Sequence, residues 1–204
     1  MRTELFTKEP DISKVRVTDN FWKQRMELVR TKVLPYEWDA LNDRIEGAAS
    51  SHAVANFKLA AKLTKEHRVG TIKAGSVRTE QGQAVSSGEE NGFEGFVFQD
   101  SDIAKWLETV AYTLMWKKDA ELERTADEVI DLICDAQQED GYLDTFYIVN
   151  GLDKRFTNLQ DNHELYCLGH LLEAAVAYTD ATGKDKLLKA LIRYVDYVDG
   201  IFGP

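Results

Sequence analysis

Between Pro35 and Pro204 the chain contains no proline. Proline removes a backbone donor and clashes with the preceding helical turn, so its absence over so long a span leaves helices free to run. The sequence uses that freedom repeatedly. Asp19 or Asn20 is placed to cap a helix over 21–33. A second helix is predicted over 51–66, with Ala53, Phe57, Ala60, Ala61 and Leu63 on its apolar side. Ser101 is placed to cap a helix over 102–116, where Ile103, Trp106, Leu107, Val110, Ala111 and Leu114 recur at helical spacing. Residues 119–138 repeat the pattern through Leu122, Ala126, Val129, Ile130 and Ile133, and Gly141 ends the unit. Another helix is predicted over 157–181 with Gly183 as its C′ residue, and the last over 185–198. No strand alternation interrupts these units. Residues 69–95 are rich in Gly, Ser, Gln and Glu and lack periodicity, which predicts a long loop with the composition of a mobile segment. The fold class is therefore all-α, built from antiparallel helical hairpins. Such hairpins can form a bundle, an open solenoid or a closed α/α toroid.

Charge and cysteine usage narrow the function. The formal net charge of −10 opposes nucleic acid, whose phosphates need clustered Lys and Arg, and opposes docking on anionic membranes. No run of about 18 apolar residues is present to span a bilayer. The opening MRTELFTKEPDISK has no apolar core of a signal peptide. Cys134 and Cys167 both fall in helical patterns and lack metal-ligand spacing, as expected of buried thiols in a reducing compartment. A cytoplasmic location is the expectation. The length of 204 residues suffices for one domain with a real core.

Chemistry-bearing residues gather in three places. The segment NHELYCLGHLLEAAVA, 162–177, carries His163, Glu164, Tyr166 and His170 at the start of an apolar helix. Polar and titratable groups there suit a ligand pocket, although a histidine at such a place also serves as a cap or a packed core residue. His170 lies one heptad beyond His163 and so on nearly the same face. HELYC is not the zinc-protease HExxH pattern, because the second histidine is missing. The segment FQDSD places Asp100 and Asp102 at a helix N-terminus, where capping and dipole compensation compete with a role in orienting ligand hydroxyls. Phe98 and Gln99 precede them and could line the same cleft. The run QQEDGYLDT, 137–145, contains Asp144 in a tight helix-to-helix loop, of the kind that lines the cleft of a toroid or simply turns the chain in solvent. His52 opens a helix and reads as a packing or capping residue.

The segments DNFWKQRMELVRTKVLPYEWDALND, SHAVANFKLAA, FVFQDSDIAKWLETVAYTL, QQEDGYLDT and NHELYCLGHLLEAAVAY, in that order, resemble glycoside hydrolase family 127. The resemblance covers residues 15–204. It implies the N-terminal part of an (α/α)6-barrel catalytic domain of a retaining β-L-arabinofuranosidase. The rest of the barrel and its β-sandwich domains lie outside this sequence. The family's nucleophile is a zinc-bound cysteine thiolate, and a glutamate serves as acid/base. None of these matches a position here, so zinc is expected in the intact enzyme, no metal in this chain, and no activity of this chain alone. What carries over is a wall of the sugar site. His163 matches a histidine that contacts arabinofuranose, and Phe98, Gln99, Asp100, Asp102, Asp144 and His170 are candidate companions. The partner so implied is an arabinofuranose-containing oligosaccharide. Self-association through uncovered barrel helices is a further expectation. Two other readings compete: another (α/α)6 sugar enzyme, such as an epimerase or an unsaturated uronyl hydrolase, and a non-catalytic helical-repeat binding module.

Overall fold

The computed structural model describes residues 10–71, 77–78, 84–86 and 92–203. Its helices are α1 (Asn20–Leu28), α2 (Leu34–Leu41), α3 (Ala53–Lys65), α4 (Asp100–Trp116), α5 (Ala120–Ala136), α6 (Thr145–Asn150), α7 (Glu164–Thr182) and α8 (Lys186–Phe202). Short strands β1 (Val77–Arg78), β2 (Ala84–Ser86) and β3 (Gly95–Phe96) form a small sheet in the order β2-β1-β3. β1 pairs antiparallel with β2 and parallel with β3. The fold is all-α apart from this sheet. The sheet corrects the reading of 69–95 as loop throughout; most of that stretch lies outside the described residues, and so does its expected mobility.

The helices lie in two layers. α4 packs against α2 on one side and α7 on the other, and α5 packs in the same way between α3 and α8. The connections α4–α5 and α7–α8 are three residues each, 117–119 and 183–185, so each pair is antiparallel and joins the layers. Alternation between two layers along the chain is the construction of an α/α toroid. The core lies between the layers. Ile103, Leu107, Val110 and Leu114 follow helical spacing on α4 and are fully buried against Leu171, Ala174 and Ala175 of α7. Each such side chain contributes about 1.5–3 kcal/mol on leaving water. The layers differ on their outer sides. The exposed positions of α3 and α5 carry charge, including Lys58, Lys62, Arg124 and Glu128, whereas α4 and α7 expose Tyr112, Trp116, Tyr166 and Val176.

Local signals explain most boundaries. Asp19 caps α1 by accepting the Trp22 N–H at 2.9 Å. Asp119 caps α5 by accepting the Leu122 N–H at 3.2 Å, and its other oxygen pairs with Arg30 at 3.0 Å. Gly183 ends α7 in the left-handed region at φ 78°. Three expectations need correction. Ser101 does not cap α4; it lies within the helix, whose N-cap position is Gln99. The helix expected from 157 starts at Glu164, because 157–163 form turns held by the Asn158 side chain, which accepts the Asp161 N–H at 3.1 Å. The first helix does not stop at Val33. It widens into a π segment, Val29–Val33, and resumes as α2 with Pro35 in its first turn. The wider turn relieves the clash of the proline ring with the carbonyl four residues back.

Gly141 connects the two layers at the loop after α5. Its φ is +97°, and a Cβ there would sit 2.5 Å from the Arg193 carbonyl oxygen. Gly141→Ala is expected to destabilise the chain by roughly 1–3 kcal/mol, through backbone strain and displacement of α8. A urea-unfolding midpoint unchanged by this substitution would contradict that account.

Candidate functional site

Three helix N-termini meet below one patch of surface, and each carries a buried acid. Asp100 opens α4, Asp144 caps α6 and Glu164 opens α7. Asp100 accepts the Thr145 N–H at 2.8 Å and the Thr145 hydroxyl, which ties α4 to α6. Asp144 accepts the Tyr147 N–H at 3.2 Å. Glu164 accepts the Tyr142 hydroxyl at 2.6 Å and the Phe156 N–H at 2.8 Å, which ties α7 to the GYLDT loop and to the chain ahead of it. Asn162 donates to the Tyr147 hydroxyl at 2.7 Å and fixes the last residues before α7. The positive ends of the helix dipoles favour acids at these places. Burial opposes ionisation more strongly. It pushes Asp100 up to about 6, against the lowering by Thr145. It pushes Asp144 well above the carboxylate range, aided by the charges of Asp100 and Glu164, and raises Glu164 as well. The second oxygen of Asp144 is buried with no hydrogen-bond partner among the described residues.

Above this base lies a chain of rings. Phe96 and Phe98 stack at 5.1 Å between centroids. Phe98 meets the His163 imidazole at 5.2 Å, His163 meets the edge of Tyr166 at 5.6 Å, and Tyr166 meets His170 at 4.6 Å. His163 takes a left-handed conformation, φ 58°, at the N-cap of α7. This conformation is uncommon for a residue with a Cβ and points to a position set by its surroundings. Its Nδ1 lies 2.8 Å from the Asp161 carbonyl oxygen, so that nitrogen carries the proton and donates. In the neutral ring Nε2 is then an acceptor. Lys105 reaches over the Tyr166 ring, 5.3 Å from its centroid, while bonding Ser101 Oγ at 3.0 Å. Asp102 lies 3.5 Å from the Lys105 ammonium and accepts from the Gln99 amide at 2.8 Å. His170 Nδ1 is 3.3 Å from the Glu173 carboxylate, close enough for an ion pair but outside hydrogen-bond geometry.

The structure thus brings Phe98, Gln99, Asp102, His163 and His170 together. It places Asp100 and Asp144 beneath them, each at most 2% exposed. Sequence reasoning did not single out Lys105, Thr145 or Tyr142. Lys105 left one signal, a lysine about one helical turn after Asp102 on α4. His52 stands apart, at the N-cap of α3 between Asp43 at 3.7 Å and Glu94 at 3.5 Å. Among the described residues the zinc implied by the family resemblance finds no donor set. Among the described residues no group of three or more His, Cys, Asp or Glu could hold a metal. Cys134 and Cys167 lie on separate helices, and burial raises both thiols.

Two layers of alternating helices, with imidazole, aromatic and carboxylate groups gathered at the helix ends, define part of an α/α toroid. The family model described as β-L-arabinofuranosidase, GH127 catalytic domain, matches residues 14–203. The chain belongs to glycoside hydrolase family 127. It is 41% identical over 195 residues to the non-reducing end β-L-arabinofuranosidase of Bifidobacterium longum subsp. longum, covering 93% of this chain and 28% of that protein. The crystal structure of a GH127 β-L-arabinofuranosidase from Geobacillus stearothermophilus T6 superposes with a TM-score of 0.78 at 48% identity, over 93% of this chain and 26% of that one. A second solved GH127 β-arabinofuranosidase gives a TM-score of 0.71 at 30% identity, over 92% of this chain and 26% of its own. The chain therefore spans little more than a quarter of the length of these relatives.

Asp100 binds its proton more tightly folded, near pH 6, than at the ordinary value of 3.8. Its contribution to stability is therefore largest at low pH and is lost as pH rises through this window. Asp100→Asn keeps the bond from the Thr145 N–H, turns the hydroxyl contact into one that the amide donates, and removes the titration. Urea midpoints across the window should fall less steeply with pH in the variant than in the parent; parallel profiles would refute the assignment.

Proposed function

We propose that these residues form one wall of the sugar site of a retaining glycoside hydrolase that releases terminal β-L-arabinofuranose from arabinofuranose-containing glycans. They would correspond to the N-terminal portion of its (α/α)6 barrel. The observation that supports this most is the ring series Phe98–His163–Tyr166–His170 on a buried carboxylate base. An arabinofuranose presents hydroxyls around an apolar ring face. Tyr166 is 44% exposed and offers aromatic surface to such a ring, with the His163 imidazole beside it. Lys105 and Asp102 add a donor and an acceptor. The wall binds and orients. The thiolate, its zinc and the acid/base implied by the family would come from residues other than those described, so this chain alone is proposed to be inactive.

The net charge of −10 supports a neutral substrate over nucleic acid or an anionic membrane. No helix among the described residues is long and apolar enough to cross a membrane. The free thiols Cys134 and Cys167 support a cytoplasmic location, and membership of the family supports a role in carbohydrate metabolism. Exposed Ile192, Val195, Ile201 and Phe202 on α8 support self-association of the isolated chain.

In a titration of the purified chain with methyl β-L-arabinofuranoside, His163→Ala is expected to weaken binding at least about tenfold, as for loss of a ligand hydrogen bond in a shielded site. Equal binding by parent and variant would refute the role of His163. Sedimentation velocity of the parent at rising concentration should show dimers or larger species, and a monomer throughout would refute self-association.

A further inference from the structure

The sugar wall leaves His52 unused, yet two separate segments are tied to the helix turn that carries it. His52 precedes α3 in the left-handed region, φ 60°, and Asp43, just after α2, is left-handed as well, φ 59°. Neither is glycine, so both conformations are held by what surrounds them. Asp43 Oδ1 accepts the Ser51 N–H at 2.6 Å and the His52 N–H at 3.1 Å, which closes the 43–52 connection into a loop. On the other side, the Asn56 side chain of α3 donates to the Glu94 carbonyl at 2.8 Å and accepts the Glu94 N–H at 3.2 Å. These two bonds seat the approach to β3 on the first turn of α3. The His52 imidazole lies between the two segments. Its Nδ1 is 3.7 Å from Asp43 Oδ2, and its Nε2 is 3.5 Å from Glu94 Oε2.

A carboxylate at each ring nitrogen separates the two protonation states. The imidazolium has an N–H on both nitrogens and can donate to both acids. The neutral ring has one, so a nitrogen lone pair then faces a carboxylate oxygen. The first turn of α3 adds no charged side chain, and the positive end of its dipole opposes the cation. Asp102 and Lys105 of α4 lie beyond Ser51 and pair with each other at 3.5 Å. The two acids at the ring are the nearer charges and favour the imidazolium. All three side chains are partly exposed, so water screens the contacts and their effect is modest.

Both segments lead to the wall. Ser51, whose N–H is held by Asp43, accepts the Gln99 amide on its hydroxyl at 3.3 Å. Gln99 also accepts the Phe96 N–H at 3.0 Å and donates to Asp102 at 2.8 Å. Phe96 lies two residues after Glu94 and stacks on Phe98, which meets His163. We infer that His52 is a pH-sensitive clamp on the rim of this wall. Protonated, it holds the 43–52 connection and the approach to β3 together on α3, and so fixes Gln99 and the Phe96–Phe98 stack beside His163. Neutral, it releases one carboxylate and the rim loosens. The inference rests on the reading of His163 and Tyr166 as the wall for the terminal sugar. His52 is a positioning residue, which acts through Gln99.

The test measures two quantities on the purified chain near pH 5 and near pH 8, the two ends of the histidine range. One is the affinity for methyl β-L-arabinofuranoside by isothermal titration. The other is the position of the Gln99 side-chain amide signals by NMR. The variants are His52→Asn, since asparagine tolerates the left-handed region, and Glu94→Gln, which leaves both backbone bonds to Asn56 in place. Other groups that titrate in this range do so in parent and variants alike. The gain in affinity on lowering the pH is expected to be roughly two- to fivefold greater in the parent than in His52→Asn, the scale of a partly exposed ion pair, with Glu94→Gln between them. The double variant should match His52→Asn. A pH dependence that is the same in parent and both variants, or reversed, overturns the clamp and leaves the wall intact. If the sugar does not bind, the wall reading fails and the Gln99 signals decide the clamp. A pH-dependent shift that is lost in His52→Asn upholds it; a shift absent from the parent, or retained in that variant, overturns it.

Discussion

A carboxylate removed from water carries the geometry of this chain. Glu164 is fully buried, and its two oxygens are satisfied by the Tyr142 hydroxyl and the Phe156 N–H. An unsatisfied buried acceptor costs roughly 1–3 kcal/mol, so both donors are held in place wherever Glu164 is buried. One donor belongs to the loop after α5 and the other to the approach to α7. Glu164 therefore fixes the distance between two segments that no regular hydrogen-bond ladder joins. His163 is its immediate neighbour and holds a left-handed backbone at the N-cap of α7. Asp100 and Thr145 do the same work between α4 and α6.

This arrangement separates the groups that hold the site from the groups that form it. The buried acids lie at helix N-termini, where dipoles partly offset the lack of water. The rings and the Lys105–Asp102 pair lie above them. Acids that are pushed toward neutrality by burial and by each other leave the surface chemistry to the exposed carboxylates. The outer layer of α3, α5 and α8 braces the inner one through the apolar core. Arg193 of α8 closes this brace by donating to the Gln137 side chain and to the Glu139 carbonyl.

The long helices were legible because their period is written in aliphatic residues. Ile103, Leu107, Val110 and Leu114 on α4 recur at helical spacing and point to one core. Asp19 and Gly183 were readable as caps from residue type alone, whereas Asp119 was read as the first residue of its helix and caps it instead. α6 was not legible. TFYIVN is short and almost wholly apolar, so it has no face and no period. The start of α7 was misplaced because Asn158 and Asp161 bond each other's backbone and side chains into a turn, which periodicity does not register. The residues His163, His170, Asp102, Gln99 and Phe98 could be nominated from motifs, but their assembly depends on contacts between α4 and α7. The burial of Asp100 rests on Thr145, 45 residues away, and no local pattern announces such a pair.

The most direct test of the account asks whether the buried base positions His163. Binding of methyl β-L-arabinofuranoside would be titrated in the parent chain, Tyr142→Phe, His163→Ala and the double variant. Tyr142→Phe removes a donor from Glu164 without touching the surface. The account predicts that it weakens binding severalfold, and that it adds nothing once His163 is gone, because the two changes act through one imidazole. Binding unaffected by Tyr142→Phe, or a loss fully retained in the absence of His163, would contradict it.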